Sequence, residues 1–260
     1  MHFHLPKPLH GWREFAGEVG IIVLGVLIAL GAEQIVVTVH ERYLARLALD
    51  HIRTELAYDS AFAVERVAIG DCMRSSFSDL RKRLTAAGDD WPGLQGTPVT
   101  GAADAQAGFL FAAPPPINSP HRLWPVSAWT SATTSGVLNG ARNRFFHYAA
   151  LYAMVEWLGR LQDHEIADYS SLVLLDVPQK LDPSARLQIL RDLGSVDADN
   201  AAIERLAAEF VTAARRNGIP PDRAWVGREL RGEVQTRGKC VKQGADLDAA
   251  LAREFNAVSH

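Results

Sequence analysis

Hydrophobic residues are distributed along this chain in two different ways. Val19 to Ala32 is an uninterrupted apolar run, and a second run, Ile35 to Val39, follows it closely. Beyond residue 40, apolar positions recur at three- and four-residue steps, which is typical of amphipathic helices. The pattern therefore predicts one membrane anchor followed by one helical domain. The expected parts are a leader (1–18), a transmembrane helix (19–39) and a helical domain (40–260).

The length of the apolar segment decides whether it can cross a bilayer. The fourteen residues from Val19 to Ala32 extend only ~21 Å as a helix, less than the ~30 Å hydrocarbon core. Continuing the helix to Val39 gives ~31 Å, which is sufficient. Glu33 then lies inside the span, where a glutamate can still reach the headgroup layer. We expect this longer segment to span the membrane.

A cleaved signal peptide is one alternative to an anchor, and a buried core helix is another. Small residues in Ala29-Leu30-Gly31 have the spacing of a cleavage site after Gly31. However, the leader is long and carries Glu14 and Glu18 close to the apolar run, whereas a signal peptide begins with a positively charged region. A buried core helix seldom lies at the very N-terminus of a globular domain. The sequence therefore favours the spanning anchor.

One face of the predicted membrane helix carries small residues. At 100° per residue, Glu18, Gly25, Ala29, Ala32 and Val36 share a narrow stripe. Gly25 and Ala29 form a small-xxx-small pair, which allows a second helix to approach closely. We therefore expect the lipid bilayer as a partner, and a homodimer through the membrane helix as a further hypothesis.

A resemblance to known proteins is confined to the N-terminal block. Leu5–Gln34 reads LPKPLHGWREFAGEVGIIVLGVLIALGAEQ. This block resembles the N-terminus of a family of uncharacterised bacterial single-pass membrane proteins, with a glutamate just before the span and a small-polar exit after it. The resemblance implies a bacterial membrane protein with a helical domain. It implies no activity and no site residues.

The domain is predicted to be all-α, because no segment shows the alternation of a β-strand. The membrane helix is expected to continue as a long helix to residue 68 and to break at Gly70-Asp71, with a second helix from Cys72 to Gly88. Further helices are expected over 126–138, 141–176, 183–193, 199–216, 222–236 and 247–258. Residues 88–125 are predicted to form one irregular loop rich in proline and glycine, held to the helices by Trp91, Phe109, Phe111 and Trp124.

Charge and motifs exclude several functions. The net charge of −3 and the pI near 6.3 argue against a nucleic-acid partner. The sequence lacks the phosphate-binding, dinucleotide-binding, nucleophile-elbow and zinc motifs. His164 and Asp168 have a spacing that can share a metal, and Asp197–Asn200 resembles part of a calcium loop. A solvated face and helix capping explain these two features better, so no metal and no cofactor are predicted.

One group of residues is a candidate binding site. Arginines with aromatic residues can receive an anionic ligand or the acidic segment of a partner. The stronger interpretation is that the aromatic residues fill the core while the arginines face water. The residues concerned are Trp124, Trp129, Arg142, Arg144, His147 and Tyr148.

The orientation of the chain follows from weak signals. Lys and Arg are nearly balanced on the two sides of the span, so the positive-inside rule gives almost a tie. A short basic leader usually stays in the cytoplasm. Cys72 and Cys240 are the only cysteines and can form one disulfide in an oxidising compartment, with two unrelated buried thiols as the alternative. We therefore expect the domain in the periplasm, with a cytoplasmic domain or a secreted, cleaved chain as alternatives.

Taken together, these features predict a membrane-anchored helical protein of the bacterial inner membrane that binds an unidentified protein partner. Sensing, scaffolding and membership of an envelope complex all fit this description. The alternative from another class is a small-ligand binder or enzyme with a site near Trp124, Trp129, Arg142 and His147.

Overall fold

A computed structural model of the chain describes residues 11–94, 119–138 and 142–257. These residues form six helices and one short two-stranded sheet. The helices are α1 (Trp12–Ala86), α2 (Ser127–Thr134), α3 (Arg142–Leu172), α4 (Pro183–Arg216), α5 (Arg223–Arg237) and α6 (Gly244–Ala257). Strand β1 (Asp90–Trp91) pairs antiparallel with β2 (Gln179–Lys180), with Asp90 opposite Lys180. The all-α prediction is confirmed.

Helix α1 is a single helix of 75 residues, which corresponds to a length of ~110 Å. The predicted continuation from the membrane segment into the domain is confirmed. The predicted break at Gly70-Asp71 is wrong, because the helix passes through both residues. A glycine costs only ~1 kcal/mol inside a helix, and here it makes room for a neighbour. A methyl group at Gly70 would overlap the carboxylate of Glu204 in α4.

Helix α4 is also longer than predicted. The expected stop at Gly194 is wrong, since one helix runs from Pro183 to Arg216. The Asp197–Asn200 segment was expected to cap a new helix but lies in the middle of α4. Its side chains bind other helices instead of the backbone, as in the hydrogen bond from Arg81 Nη2 to Asp197 Oδ2 at 3.1 Å. These side chains therefore form contacts with other helices and do not cap a helix end.

Two predicted helix starts are confirmed. The Asp182 carboxylate accepts hydrogen bonds from the backbone N–H groups of Ser184 and Ala185, both at 2.8 Å, and Pro183 occupies the first turn of α4. The Ser184 hydroxyl also donates to this carboxylate. The hydroxyl bond, followed by the two backbone bonds, lowers the pKa of Asp182. Asp222 caps α5 in the same way. Such caps satisfy backbone donors that the helix leaves free.

The core of the domain consists of two hydrophobic clusters that follow one another along α1. The cluster nearer to the apolar segment Val19–Val39, here called the membrane-proximal cluster after the candidate span, contains Leu49, Ile52 and Leu56 of α1 and continues to Leu158 on α3. The distal cluster begins at Ile69 on α1 and includes Leu172, Leu193 and Trp91. Helix α4 packs against both α1 and α3 and so joins the two clusters.

A buried polar layer lies between the two clusters. On α3, Gln162 and Glu165 lie between Leu158 of the membrane-proximal cluster and Tyr169 of the distal cluster. On α4, Asn200 likewise lies between residues of the two clusters. Nη2 of Arg66 on α1 donates to both carboxylate oxygens of Glu165, at 3.0 and 3.1 Å, and to Asn200 Oδ1 at 3.3 Å. Because a buried charge needs its partner, this layer fixes the register of α1, α3 and α4.

The N-terminal part of α1 differs from the rest of the helix. Its apolar side chains between Val19 and Val39 are exposed. Among the described residues, α1 is the one helix that is long and apolar enough to cross a membrane. The leader up to His10 lies outside the described residues. The structure thus has one helix with a candidate membrane span and a packed domain.

Candidate functional site

The aromatic residues of the predicted binding site are parts of the core. The Trp129 ring stacks on Tyr152 at a centroid distance of 5.1 Å and an interplanar angle of 18°, and it contacts Phe145 at 5.1 Å. Tyr148 is buried, and its hydroxyl accepts a hydrogen bond from Arg53 Nε at 3.3 Å. The structure therefore brings Trp129 and Tyr148 to the membrane-proximal cluster rather than to an open pocket.

Trp124 and His147, the other described side chains of that predicted site, have different surroundings. Trp124 meets Phe62 edge-on at 5.9 Å, and its Nε1 donates to Gln162 Oε1 at 3.3 Å. His147 lies on the exposed face of α3. The side chains of Arg142 and Arg144 lie outside the described part of the chain, as do Phe109 and Phe111 of the predicted loop. Trp91 does hold β1 to the domain, because its Nε1 donates to Leu175 O at 2.7 Å.

Arg122 is a central residue that the sequence did not single out. Its Nε donates to Glu65 Oε2 at 2.9 Å and its Nη2 to Glu65 Oε1 at 2.7 Å, and it also pairs with Glu229 of α5. The guanidinium lies 5.6 Å from the ring of Phe62 and 5.7 Å from that of Trp225. Burial opposes its charge, but the hydrogen bonds to Glu65 raise the pKa of Arg122. Arg122 therefore attaches the segment before α2 to α1 and α5.

Two carboxylates one turn apart on α1 have contrasting surroundings. Glu55 accepts hydrogen bonds from Tyr152 Oη at 2.7 Å, from Ser127 Oγ at 2.7 Å and from Ala128 N at 3.0 Å, and so caps the start of α2. Asp59 is fully buried, and neither of its oxygens has a hydrogen-bond partner among the described residues. Burial, and then the charge of Glu55, raise the pKa of Asp59 to about 9. Asp59 is therefore neutral at physiological pH.

A histidine and two aspartates meet on the surface of α3 and α4. His164 Nδ1 lies 2.6 Å from Asp199 Oδ2 and 3.8 Å from Asp168 Oδ2. The three ligand-type atoms lie within 4.8 Å of one another, so they have the composition of a metal-binding group. The hydrogen bond to Asp199, and then its charge, raise the pKa of His164. This hydrogen bond explains the arrangement without an ion, and the group is solvent-exposed.

The two cysteines form a disulfide between α1 and the turn before α6. Cys72 and Cys240 are bonded, with a Cα–Cα distance of 5.2 Å. Next to the bond, Lys242 Nζ donates to Glu204 Oε1 at 3.1 Å and pairs with Asp71 at 3.1 Å. Arg74 pairs with the same two carboxylates. This group of contacts closes the domain around Gly70, the position at which the sequence predicted a break.

A groove lies between α1 and α2, directly above the apolar span. Its volume is about 910 Å³. Helix α1 contributes the side from Thr38 to His51, and α2 with the following turn contributes the side from Ala128 to Val137. The sequence predicted neither the groove nor its lining, because helices separated by about eighty residues form it. The groove adjoins the apolar segment, because Thr38 is one of its lining residues.

The residues predicted for packing between membrane helices lie on the free part of α1. Glu18, Gly25, Ala29 and Ala32 are all exposed, and a Cβ atom at Gly25 would meet no neighbouring atom. Their face is therefore open to lipid or to another helix. The homodimer remains a prediction.

No protein-family model, curated protein or solved structure matches this chain. The fold and the position of the groove define its class as an all-α domain carried on one long N-terminal helix with a candidate membrane span. A more particular identity has to come from the chemistry of its surfaces.

Proposed function

We propose that this chain is a single-pass protein of the bacterial inner membrane whose helical domain lies in the periplasm and acts by binding a protein partner. Helix α1 connects the two environments as one stiff element. The observation that carries this proposal is the continuity of α1, which begins at Trp12 and ends at Ala86 without an interruption.

The continuity matters because it leaves no joint between membrane and domain. Thr38, at the end of the apolar segment, and Leu49, the first fully buried core residue of α1, are separated by only eleven residues, or ~17 Å of helix. Beyond Leu49, α1 packs against α2, α4, α5 and α6. A displacement of the domain would therefore tilt or rotate the membrane segment, which suits a sensing or scaffolding role.

The disulfide supports the periplasm as the compartment of the domain. Disulfides persist in oxidising environments such as the periplasm and are rare in the cytosol. Cys72 and Cys240 lie in the domain, beyond the span, so the proposal puts the domain on the periplasmic side and the leader in the cytoplasm. The resemblance of Leu5–Gln34 to bacterial single-pass membrane proteins is in keeping with this proposal.

The packing of the aromatic rings favours partner binding over catalysis, because the predicted ligand site is occupied by ring–ring contacts. A ligand at the predicted Trp124/Trp129 site would have to displace Trp129 from Tyr152 and Trp124 from Phe62. Stacked and edge-on ring pairs in a core contribute ~0.5–1.5 kcal/mol beyond their burial. No observation favours the enzyme or small-ligand alternative at these residues, so it forms no part of the proposal.

The experiment that tests the proposal is a topology measurement in bacteria. A reporter that is active only in the cytoplasm is fused to the C-terminus, and the same reporter is fused to the N-terminus as the control. The proposal predicts an inactive C-terminal fusion, an active N-terminal fusion and a chain that stays with the membrane fraction at alkaline pH.

Two outcomes of that experiment would contradict the proposal. An active C-terminal fusion would show that the domain is cytoplasmic. A shortened chain in the soluble periplasmic fraction would show that Val19–Gly31 is a cleaved signal sequence rather than an anchor. Cysteine labelling without a reductant adds an independent reading, since Cys72 and Cys240 should be unreactive in cells.

A further inference from the structure

The groove between α1 and α2 has a composition that suits an amphiphilic ligand. Ala45, Ala48 and Leu49 of α1 form an apolar side. Helix α2 and its following turn form a narrow wall of small residues. These small residues are Ala128, Ser131, Ala132, Ser135 and Gly136. A volume of about 910 Å³ falls in the range of pockets for small molecules and cofactors, ~300–1,000 Å³.

The charged side chains of the groove carry a positive excess. Arg42 and Arg46 line it one turn apart, against the single carboxylate of Glu41, and His51 lies at the end far from the span. Within the described residues, neither arginine forms an ion pair with a carboxylate. Two neighbouring guanidinium groups that pair with no described carboxylate are suited to an anion, and guanidinium groups bind phosphate oxygens well.

The position of these arginines selects a phosphate in the membrane surface. The headgroup layer on each side of a bilayer is ~5–8 Å thick. Counted from Val39 at 1.5 Å per residue, Arg42 is ~5 Å and Arg46 ~10 Å beyond the span. Side chains on a helix lean toward its N-terminus, which for α1 is the direction of the bilayer. Both guanidinium groups can therefore reach phosphates of the adjacent leaflet.

The Thr38 hydroxyl, at the end of the groove next to the span, is already used as a donor within α1. Thr38 Oγ1 donates to Gln34 O within α1 at 2.8 Å. The membrane-side mouth of the groove therefore offers an apolar surface and the two arginines, which matches the glycerol and first methylene groups of a lipid below its phosphate. A soluble anion would use only the arginines and would leave the apolar side in contact with water, at a cost of ~25 cal/mol per Å².

We propose that this groove binds one anionic phospholipid of the leaflet from which α1 emerges, with its phosphate on Arg42 and Arg46 and its glycerol end against Ala45 and the small residues of α2. The inference rests on the proposed membrane span, and it adds a specific lipid site at the base of the domain. A bound lipid would fill the space between α1 and α2 and would stiffen the connection between span and domain.

Native mass spectrometry of the full-length chain in a non-ionic detergent tests this site. Phosphatidylglycerol is the anionic probe and phosphatidylcholine the zwitterionic one. The expected result is one retained phosphatidylglycerol per chain and much weaker retention of phosphatidylcholine. Replacing both arginines, Arg42→Gln with Arg46→Gln, should weaken phosphatidylglycerol binding roughly thirtyfold, since each basic residue near an anionic surface contributes about a factor of five.

Two further variants make the result specific to the groove. Arg191→Gln with Arg223→Gln removes the same charge from two exposed arginines outside the groove and should leave lipid binding unchanged. Ser131→Trp places a large side chain from an exposed position of α2 into the groove and should abolish binding. An unchanged unfolding temperature checks that each variant is folded.

Several results would overturn the lipid site. These are equal retention of the two lipids, unaltered binding by the Arg42/Arg46 variant, an equal loss in the Arg191/Arg223 variant, or full binding by Ser131→Trp. A dimer that Ser131→Trp dissociates, without bound lipid, would show that a second chain occupies the groove. A chain that stays in the alkaline-washed membrane fraction but retains no lipid refutes the site alone, whereas loss from that fraction refutes the proposed anchoring.

Discussion

The two halves of α1 have the same backbone and opposite relations to their surroundings. In the N-terminal half, Ile22 is 66% exposed. In the C-terminal half, Ile52 is 0% exposed and lies in the membrane-proximal cluster. The C-terminal half also buries ionisable residues, namely Asp59, Glu65 and Arg66.

The difference teaches what each half requires of its environment. A stretch of exposed apolar side chains as long as that from Val19 to Val39 is unfavourable in water and stable in lipid. The buried charges of the other half are tolerated only because α3 supplies a partner for Arg66 and the segment before α2 supplies one for Glu65. The N-terminal half should therefore depend on the bilayer and the C-terminal half on the domain, and substitutions in the two halves should behave differently.

The disulfide should have the largest effect, and only on the domain half. Its two cysteines are 168 residues apart in sequence, and closing so long a loop contributes about 4–5 kcal/mol in the chain-entropy model. Cys72→Ser with Cys240→Ser should therefore lower the free energy of unfolding of the domain by about that amount, measured by urea denaturation in micelles. A reductant should reproduce the loss in the wild type and have no effect on the variant. Equal stability of the two proteins would contradict the prediction.

Breaking the buried polar layer should have the next largest effect. Arg66→Leu leaves the Glu165 carboxylate buried without its cation, which typically costs about 3–5 kcal/mol. The double variant Arg66→Leu with Glu165→Leu should recover most of the loss, because no unpaired charge remains. Urea denaturation of the single and double variants gives the coupling between the two residues. A single variant as stable as the wild type would show that the pair is not buried.

The same substitution at Ile52 and at Ile22 allows a direct comparison of the two halves of α1. Ile52→Ala removes a fully buried side chain and should lower the free energy of unfolding of the domain by about 3 kcal/mol. Ile22→Ala makes the same chemical change in the membrane half and should change that free energy by less than about 0.5 kcal/mol. Both are measured by the same denaturation in micelles. Similar losses for the two variants would mean that the apolar run packs against the domain.

Asp59 makes the stability of the packed half depend on pH. Its pKa is about 9 in the fold against an ordinary value of 3.8, so between these values the folded state holds a proton that the unfolded state has lost. Stability is then complete below the lower value and falls as pH rises toward the higher one, by at most about 1.4 kcal/mol per pH unit. Asp59→Asn should remove this slope, so that the variant becomes progressively more stable than the wild type as the pH rises from about 4 to about 8. The same slope in both proteins would assign the pH dependence to other groups.

Much of this fold could be predicted from the sequence, because helix periodicity and proline-based caps are local signals. Three boundaries could not be predicted, for one physical reason. Gly70 and Gly194 lie inside helices because packing with neighbouring helices outweighs the modest cost of a glycine. The acidic segment around Asp197 and Asp199 binds Arg81 and His164 rather than a helix end.

The candidate site shows the same limit of local signals. The cluster of arginines and aromatics around Trp129 was visible in sequence, and the interpretation that its aromatic rings fill the core agrees with the packing of Trp129 and Tyr148. Arg122 was missed, because its partners Glu65 and Glu229 lie 57 and 107 residues away. The groove was missed for the same reason, since Arg42 and Ser131 meet only after folding.

The rigidity of α1 between the two halves can be measured directly by the distance between two spin labels. Gln34→Cys lies in the apolar segment and Thr54→Cys on the exposed face of the packed half, and the native cysteines are held in their disulfide. In lipid nanodiscs, one continuous helix predicts a single narrow distance distribution near ~30 Å. Replacing Tyr43-Leu44 with Gly-Gly should broaden the distribution, whereas Ala-Ala at the same positions should leave it narrow. A broad or much shorter distribution in the chain with native Tyr43-Leu44 would show a joint between membrane and domain, and would contradict the stiff connection.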